Sequence, residues 1–162
     1  MKIVIVDYGM GNIKSIISAL NYIGVSDVAI SAEYDTLKSA DKLILPGVGA
    51  YGQAMDQIKT KQLDQHLHKV VIEEKKPLLG ICLGMQLLGM SSNEHGTHTG
   101  LKFIDGHVVK FDHTTIKIPH VGFNQVETNN QSRLYQGFSG HVDFYFTHSY
   151  KMTSTASINQ CI

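Results

Sequence analysis

The chain of 162 residues has no tryptophan, three prolines and two cysteines. Two cysteines cannot build the dense disulfide framework of a small secreted domain, so a free thiol in a reducing compartment fits better. The prolines stand singly, which excludes a proline-rich linker. We therefore predict one globular domain, at residues 1–162, in a cytoplasmic protein.

An excess of charge of one sign and long apolar runs are also missing. Lysine plus arginine equals aspartate plus glutamate, at 14 each, so no net field attracts nucleic acid or an anionic membrane. No apolar run approaches the roughly 20 residues that a membrane-spanning helix needs. The composition is that of a folded domain, with 43% hydrophobic and 17% charged residues. These absences predict neither a nucleic-acid partner nor a membrane partner.

The first half of the chain alternates β-branched runs with helical periods. Strands are predicted at 2–6, 28–31, 42–45 and 78–81. Helices are predicted at 13–23, 35–40 and 84–90, and from about 52 to 74 with a possible interruption near Lys61. This order predicts parallel β-α-β units with helices on both faces of a sheet. In the second half, "GHVVKF", "IKIP", "NQVET" and "DFYFTHSY" predict short antiparallel strands laid against that core.

Glycines flank Cys82 at two residues on either side, in "GICLG". This spacing, between a predicted strand and a predicted helix, fits the strained turn that presents a nucleophile. The N-terminus of the helix favours a thiolate, and the backbone N–H of Leu83 is a candidate donor to an oxyanion. The alternative interpretation is a buried structural cysteine at a tight turn.

A second glycine-bearing turn, "PGVG" at residues 46–49, ends another predicted parallel strand. Parallel sheets place their sites at this edge, and the glycines allow the backbone N–H groups of Val48 and Gly49 to face a ligand. The alternative is an ordinary β-to-α turn.

Five motifs in order resemble the class I, triad-type glutamine amidotransferases: "VDYGMGN", "LPGVG", "PLLGICLGMQLL", "IPHVGFN" and "FYFTHSY". Within that family they are similar to the glutaminase subunits of imidazole glycerol phosphate synthase, from residue 1 to about 150. The resemblance implies an α/β, three-layer, flavodoxin-like fold with a parallel core sheet plus short antiparallel strands. It also implies glutamine hydrolysis through a thioester on Cys82. The ammonia would pass to a (β/α)8-barrel cyclase subunit in histidine biosynthesis.

The same resemblance implies roles for individual residues. Beside the nucleophile Cys82, oxyanion-hole backbone would come from Val48, Gly49 and Leu83. Substrate would be contacted by Gln86, Glu94, His148, Ser149 and Tyr150, with Glu94 at the α-ammonium. The cyclase would face the loops that contain Met10, Gly11, Asn12, Pro119 and His120; Phe123 stands where the family often has tryptophan. No metal or cofactor is implied.

A catalytic base is the part that the sequence does not supply. A free thiol is only a few per cent ionised at neutral pH, so the chemistry needs a histidine oriented by a carboxylate. The family places that pair in a Phe-His-Pro-Glu-like segment near its C-terminus, but no histidine in this chain precedes a proline. We expect that a C-terminal segment is missing and that the 162-residue form has negligible glutaminase activity.

Two other functions remain open from the sequence. One is ammonia supply to a sugar-aminating synthetase of surface polysaccharide synthesis, which uses the same chemistry. The other is a catalytically silent protein that keeps the partner-facing loops without the triad. A different cysteine hydrolase or redox protein is disfavoured, because Gln86 and the loop at 46–49 have no use there.

Overall fold

A computed structural model describes residues 1–112, 117–127, 133–137 and 141–154. In the first half the strands are β1 (Ile3–Val6), β2 (Val28–Ser31), β3 (Lys42–Leu45) and β4 (Leu78–Gly80). The helices are α1 (Ile13–Tyr22), α2 (Tyr34–Lys38), α3 (Tyr51–Thr60), α4 (Leu63–Leu67) and α5 (Leu83–Gln86), with a π-helical turn at His68–Glu73 after α4. The predicted alternation of strand and helix is confirmed.

The four strands form a parallel sheet in the order β2-β1-β3-β4. One face carries Ile3, Ile5 and Ile44, which pack against the apolar side of α1. The other face is covered by α2, α3 and α4, whose buried residues join the larger core of Val4, Val6, Leu43, Leu45, Leu37, Ile58, Leu63 and Leu67. Because both faces of the sheet are covered, the strands read as continuous apolar runs. The α/β prediction with helices on both faces is confirmed.

The long helix predicted from about 52 to 74 is divided where the sequence suggested. The backbone of Gln62 is left-handed, with φ of 54°, which ends α3 and starts α4. The helix predicted at 84–90 is wrong in its second half, since α5 ends at Gln86. The N–H groups of Leu88 and Gly89 donate only three residues back, to Met85 and Gln86, and the N–H of Met90 donates to the carbonyl of Gly106, so the α-helical pattern stops.

The second half builds the strands β5 (Ser91–Ser92), β6 (His98–Thr99), β7 (His107–Lys110), β8 (His120–Glu127), β9 (His141–His148) and β10 (Tyr150–Thr153). A short 3-10 helix lies at Arg133–Tyr135. One sheet has the order β10-β7-β5-β6, and β8 pairs with β9 in a separate hairpin. None of the described helices is long and apolar enough to cross a membrane.

The antiparallel pairing predicted for the second half is confirmed for the quoted segments that form strands, and the unpredicted strand β5 adds one parallel pair. The pairs β7–β10, β8–β9 and β5–β6 are antiparallel, but β5 runs parallel to β7. The predicted strand "IKIP" is wrong at 117–119, which are not in a strand, and residue 116 lies outside the described residues. The two-residue strands β5 and β6 have no sequence signal, because a period of two needs a longer run to be visible.

Strand β4 is an edge of the parallel sheet, and its apolar side chains are only partly covered. Leu79 pairs in register with the buried Ile44 and therefore shares its face, yet its side chain is 40% exposed. Ile81, just beyond the strand on the same side, is 38% exposed. The packing of this face therefore weakens from β1 and β3 towards β4.

Substitution of one leucine on β3 and one on β4 tests whether the packing weakens towards the edge of the sheet. Leu45 is fully buried on β3, so Leu45→Ala should cost about 2–5 kcal/mol of unfolding free energy through lost transfer energy and a cavity. Leu79→Ala should cost only roughly 1 kcal/mol, because much of its surface is already in water. Urea unfolding of both variants measures the difference, and equal losses would contradict the described packing of β4.

Candidate active site

Cys82 occupies the link between β4 and α5 and has a left-handed backbone, with φ of 54° and ψ of −118°. This conformation is strained for a residue with a Cβ. Ile81 N–H donates to the carbonyl of Leu45 at 3.0 Å, which extends the strand pairing up to the turn. Beyond Cys82, the N–H groups of Met85 and Gln86 donate back to its carbonyl at 3.0 and 3.2 Å. The chain thus reverses at Cys82, whose side chain is exposed.

Neighbouring backbone leaves no room for a side chain at either glycine of this cysteine turn (residues 80–84). A Cβ on Gly80 would lie 2.5 Å from Cα of Met85. A Cβ on Gly84 would collide with the carbonyl of Leu45 and would lie 2.9 Å from the carbonyl oxygen of Pro46. The first turn of α5 therefore rests directly on the ends of β3 and β4, which is the close approach that the glycine spacing predicts.

The proline–glycine loop (residues 46–49) lies beside the cysteine turn. A Cβ on Gly47 would lie 2.5 Å from the backbone nitrogen of Gly84 and 2.8 Å from Cβ of Leu83. Gly49 has φ of 103°, a conformation that favours glycine, and a Cβ there would lie 2.9 Å from Cε of Met10. The loop is therefore in contact with the cysteine turn on one side and with Met10 on the other.

A cleft of about 600 Å³ opens at this junction. Its lining includes all the residues predicted as catalytic or substrate-binding: Val48, Gly49, Cys82, Leu83, Gln86, Glu94, His148, Ser149 and Tyr150. Of the residues predicted to face a partner, Pro119 also lines the cleft, whereas Met10, Gly11, Asn12 and His120 do not. Sequence reasoning missed four lining residues: His95, Lys110, Ile118 and Thr147. Ile118 and Thr147 lie within the quoted motifs "IPHVGFN" and "FYFTHSY", but Lys110 has no local signal of a binding role.

Gln86 and Glu94 are held by hydrogen bonds rather than being free in solvent. The Nε2 of Gln86 donates to the carbonyl of Tyr150 at 3.1 Å, which joins α5 to β10. The Oε2 of Glu94 accepts from the backbone N–H of Tyr51 at 2.8 Å. That N–H is in the first turn of α3, whose N-cap residue Ala50 makes no side-chain cap, so Glu94 supplies the cap from a distant part of the chain.

Two histidines form a directed chain of hydrogen bonds beside the cleft. The carbonyl of Tyr150 can only accept, so the Nδ1 of His148 must donate to it, at 3.0 Å. In the neutral ring the Nε2 of His148 is then an acceptor, and the Nδ1 of His120 donates to it at 3.0 Å. The Nδ2 of Asn124 completes the chain by donating to the Nε2 of His120 at 2.9 Å. Both ring nitrogens of His148 are therefore engaged.

The residues predicted to face a partner lie in loops around this region. The Oδ1 of Asn12 accepts from the backbone N–H of Ser15 at 3.3 Å, so Asn12 is also the N-cap of α1. A Cβ on Gly11 would lie 2.9 Å from Cβ of Pro46, which brings this loop against the proline–glycine loop. On the hairpin, Phe123 is 74% exposed and packs edge-on against Tyr145, with ring centroids 5.2 Å apart.

Comparison with known proteins bears on this site. The profile of the family described as "Glutamine amidotransferase class-I" matches residues 4–162. The chain is 42% identical over 152 residues to imidazole glycerol phosphate synthase subunit HisH of Aquifex aeolicus (strain VF5), which covers 94% of this chain and 72% of that protein. It is 45% identical over 150 residues to subunit HisH 2 of Vibrio vulnificus (strain YJ016), which covers 92% of this chain and 70% of that protein.

Solved structures show the same fold. A crystal structure of a glutamine amidotransferase superposes with a TM-score of 0.73 at 17% identity, over 95% of this chain and 75% of that one. The crystal structure of a glutamine amidotransferase from Thermotoga maritima superposes with a TM-score of 0.59 at 16% identity, over 95% and 63% of the two chains. At these identities the likeness concerns the fold alone.

The long-range cap can be tested by substitution. Glu94→Ala should lower the unfolding free energy by about 1 kcal/mol, because the first turn of α3 loses its acceptor. Glu94→Gln keeps an acceptor oxygen and should lose less. The control is Glu33→Ala, since Glu33 stands at the N-cap of α2 without a side-chain cap and should change little. If urea unfolding shows equal losses for Glu94→Ala and Glu33→Ala, Glu94 does not hold α3.

Proposed function

We propose, because this chain belongs to the family of class I glutamine amidotransferases, that it is the subunit that releases ammonia from glutamine for imidazole glycerol phosphate synthase in histidine biosynthesis. The observation that supports the chemistry most directly is the cleft, in which an exposed cysteine on a strained turn meets the proline–glycine loop. The relatives named for this synthase support the choice of ammonia acceptor.

The reaction begins with attack by the thiolate of Cys82 on the side-chain carboxamide of glutamine. The carbonyl π-electrons move to oxygen and give a tetrahedral oxyanion, which the backbone N–H groups of Leu83 and of Val48 or Gly49 would stabilise. The C–N bond then breaks, nitrogen takes up a proton and leaves as ammonia, and a thioester remains. Water adds to the thioester carbonyl, and loss of the thiolate gives glutamate and restores Cys82.

The charges of the cleft suit the amino-acid end of the substrate. The carboxylate of Glu94 lines the cleft and would pair with the α-ammonium, while Lys110 brings a positive charge for the α-carboxylate. Gln86 is fixed against β10 through the carbonyl of Tyr150, so the wall at His148, Ser149 and Tyr150 would lie along the bound glutamine. These contacts would place the carboxamide over the sulfur.

The partner surface would be formed by the loops around the cleft and by the hairpin. Met10 and Gly11 lie against the proline–glycine loop and Asn12 follows them as the N-cap of α1. Pro119 precedes and His120 begins the hairpin that exposes Phe123 and Tyr145. Aromatic side chains are common anchors of protein interfaces. We infer that this side binds the (β/α)8-barrel cyclase subunit, so that ammonia leaves the cleft directly into the partner.

Neither histidine that lines the cleft suits the role of base. Both ring nitrogens of His148 are engaged, one with the carbonyl of Tyr150 and one with His120. His95 is exposed, in a turn with φ of 53°. No carboxylate hydrogen bond orients either ring among the described residues. A base would therefore have to come from elsewhere.

Covalent labelling tests the nucleophile and the substrate together. A chloroketone analogue of glutamine should form a thioether with Cys82, and excess glutamine should slow the reaction because both occupy the cleft. Peptide mass mapping identifies the modified cysteine and separates Cys82 from Cys161. Cys82→Ser should remain unlabelled. Labelling that glutamine does not slow would be evidence against glutamine as the substrate.

Ammonia release tests whether this chain contains a catalytic base. The 162-residue chain should hydrolyse glutamine at a rate lower by a factor on the order of 10⁶ than an intact triad enzyme, with or without the cyclase subunit present. His95→Ala should leave this low rate unchanged. The assay is coupled detection of glutamate and ammonia, with Cys82→Ala as the blank. Substantial turnover that Cys82→Ala abolishes would show that this chain contains its own base.

A further inference from the structure

A buried tyrosine lies directly beneath the proline–glycine loop. Tyr8 follows β1, and its side chain is fully buried in the main core. Its hydroxyl donates to the carbonyl oxygen of Pro46 at 2.8 Å. Pro46 is itself buried, so this carbonyl has limited access to water. The hydrogen bond therefore joins the end of β1 to the first peptide of the loop.

The Tyr8 hydroxyl also lies against Gly47, the residue at which the proline–glycine loop contacts the cysteine turn. A Cβ on Gly47 would lie 2.8 Å from the Tyr8 oxygen and 2.5 Å from the backbone nitrogen of Gly84. The carbonyl oxygen of Pro46 also limits the space at Gly84, where an added Cβ would lie 2.9 Å from it. Tyr8, the loop and α5 thus meet at one point.

The loop needs an anchor of this kind because two of its residues are glycines. Gly47 and Gly49 have the softest backbone dihedrals, and nothing in their side chains restricts rotation of the intervening peptides. The peptide that contains the Pro46 carbonyl precedes the one that contains the Val48 N–H. A fixed first peptide limits the orientations open to the N–H groups of Val48 and Gly49.

The Tyr8 hydroxyl can donate this hydrogen bond only while it keeps its proton. Burial, and then the charge of the nearby Cys82, raises the pKa of Tyr8 well above its ordinary value. The phenol therefore stays protonated at physiological pH.

We propose that Tyr8 is a positioning residue whose hydroxyl, through the Pro46 carbonyl, holds the proline–glycine loop in the orientation that stabilises the oxyanion. This inference rests on the proposed glutamine chemistry at Cys82 and adds to it a residue that never touches the substrate. Loss of the hydroxyl should weaken reactions that pass through an oxyanion and spare those that do not.

Two reagents separate these reactions on the same sulfur. Iodoacetamide alkylates Cys82 by direct displacement of iodide, without an oxyanion. The chloroketone analogue of glutamine first forms a tetrahedral adduct in which the ketone oxygen becomes anionic; the sulfur then displaces chloride, and a thioether with a restored ketone remains. Removal of one direct oxyanion donor typically costs 10²–10³-fold, so loss of an indirect support should cost about tenfold.

Tyr8→Phe should therefore lower the chloroketone rate about tenfold relative to the iodoacetamide rate. The matched control is Tyr51→Phe. Tyr51 is also fully buried, does not line the cleft, and its hydroxyl has no hydrogen-bond partner among the described residues. Its removal should leave the ratio unchanged. Equal losses of both rates in Tyr8→Phe would mean that the whole cysteine turn is disturbed, and would overturn the proposal.

If Tyr8→Phe does not fold, 3-fluorotyrosine at position 8 replaces it in the test. Fluorine beside the hydroxyl makes the phenol a stronger donor, so the rate ratio should rise above that of the wild type, and the same replacement at position 51 should have no effect. An unchanged ratio at position 8 would overturn the proposal. Labelling of the wild type that glutamine does not slow would instead reject the proposed function and this inference with it.

Discussion

The turn at Cys82 depends on three stretches of backbone approaching one another more closely than side chains would allow. The proline–glycine loop touches the first turn of α5 at Gly47 and Gly84, and that helix rests on the carbonyl at the end of β3. A methyl group at either glycine would separate them. The left-handed backbone of Cys82 is tolerated because its neighbours on both sides are fixed by these contacts. The exposed thiol is therefore a consequence of packing beneath it.

The two halves of the chain contribute different parts of the cleft. The parallel sheet supplies the cysteine turn, at the end of β4, and the loop, at the end of the buried strand β3. The second half supplies the opposite wall, at Lys110 and at residues 147–150. Among the hydrogen bonds that join the halves, one runs from Gln86 to the carbonyl of Tyr150 and one from the N–H of Tyr51 to Glu94. Residues that suit contact with substrate thus also hold the walls together.

Local patterns were enough to predict the parallel half, the cysteine turn and the proline–glycine loop, whereas the substrate-contacting residues of the cleft were predicted from the family resemblance. The runs at β1 and β3 are apolar because they lie in the core, and glycines around Cys82 and Val48 are typical of close backbone approach, although the backbone that Gly47 and Gly84 meet is distant in the chain. The end of α5 could not be predicted, because the N–H of Met90 donates to the distant carbonyl of Gly106 instead of to the preceding turn. The parallel pairing of β5 with β7, the position of Lys110 in the cleft and the cap that Glu94 provides likewise depend on tertiary contacts.

The histidine pair beside the cleft has a polarity that runs from Asn124 through His120 and His148 to the carbonyl of Tyr150. One additional proton on His148 would force His120 to accept through Nδ1 and to carry its hydrogen on Nε2. The amide of Asn124 would then have to rotate and present its oxygen. A second proton would leave two cationic rings with donors facing each other. The orientation of a single surface amide therefore distinguishes the neutral pair of rings from a protonated one.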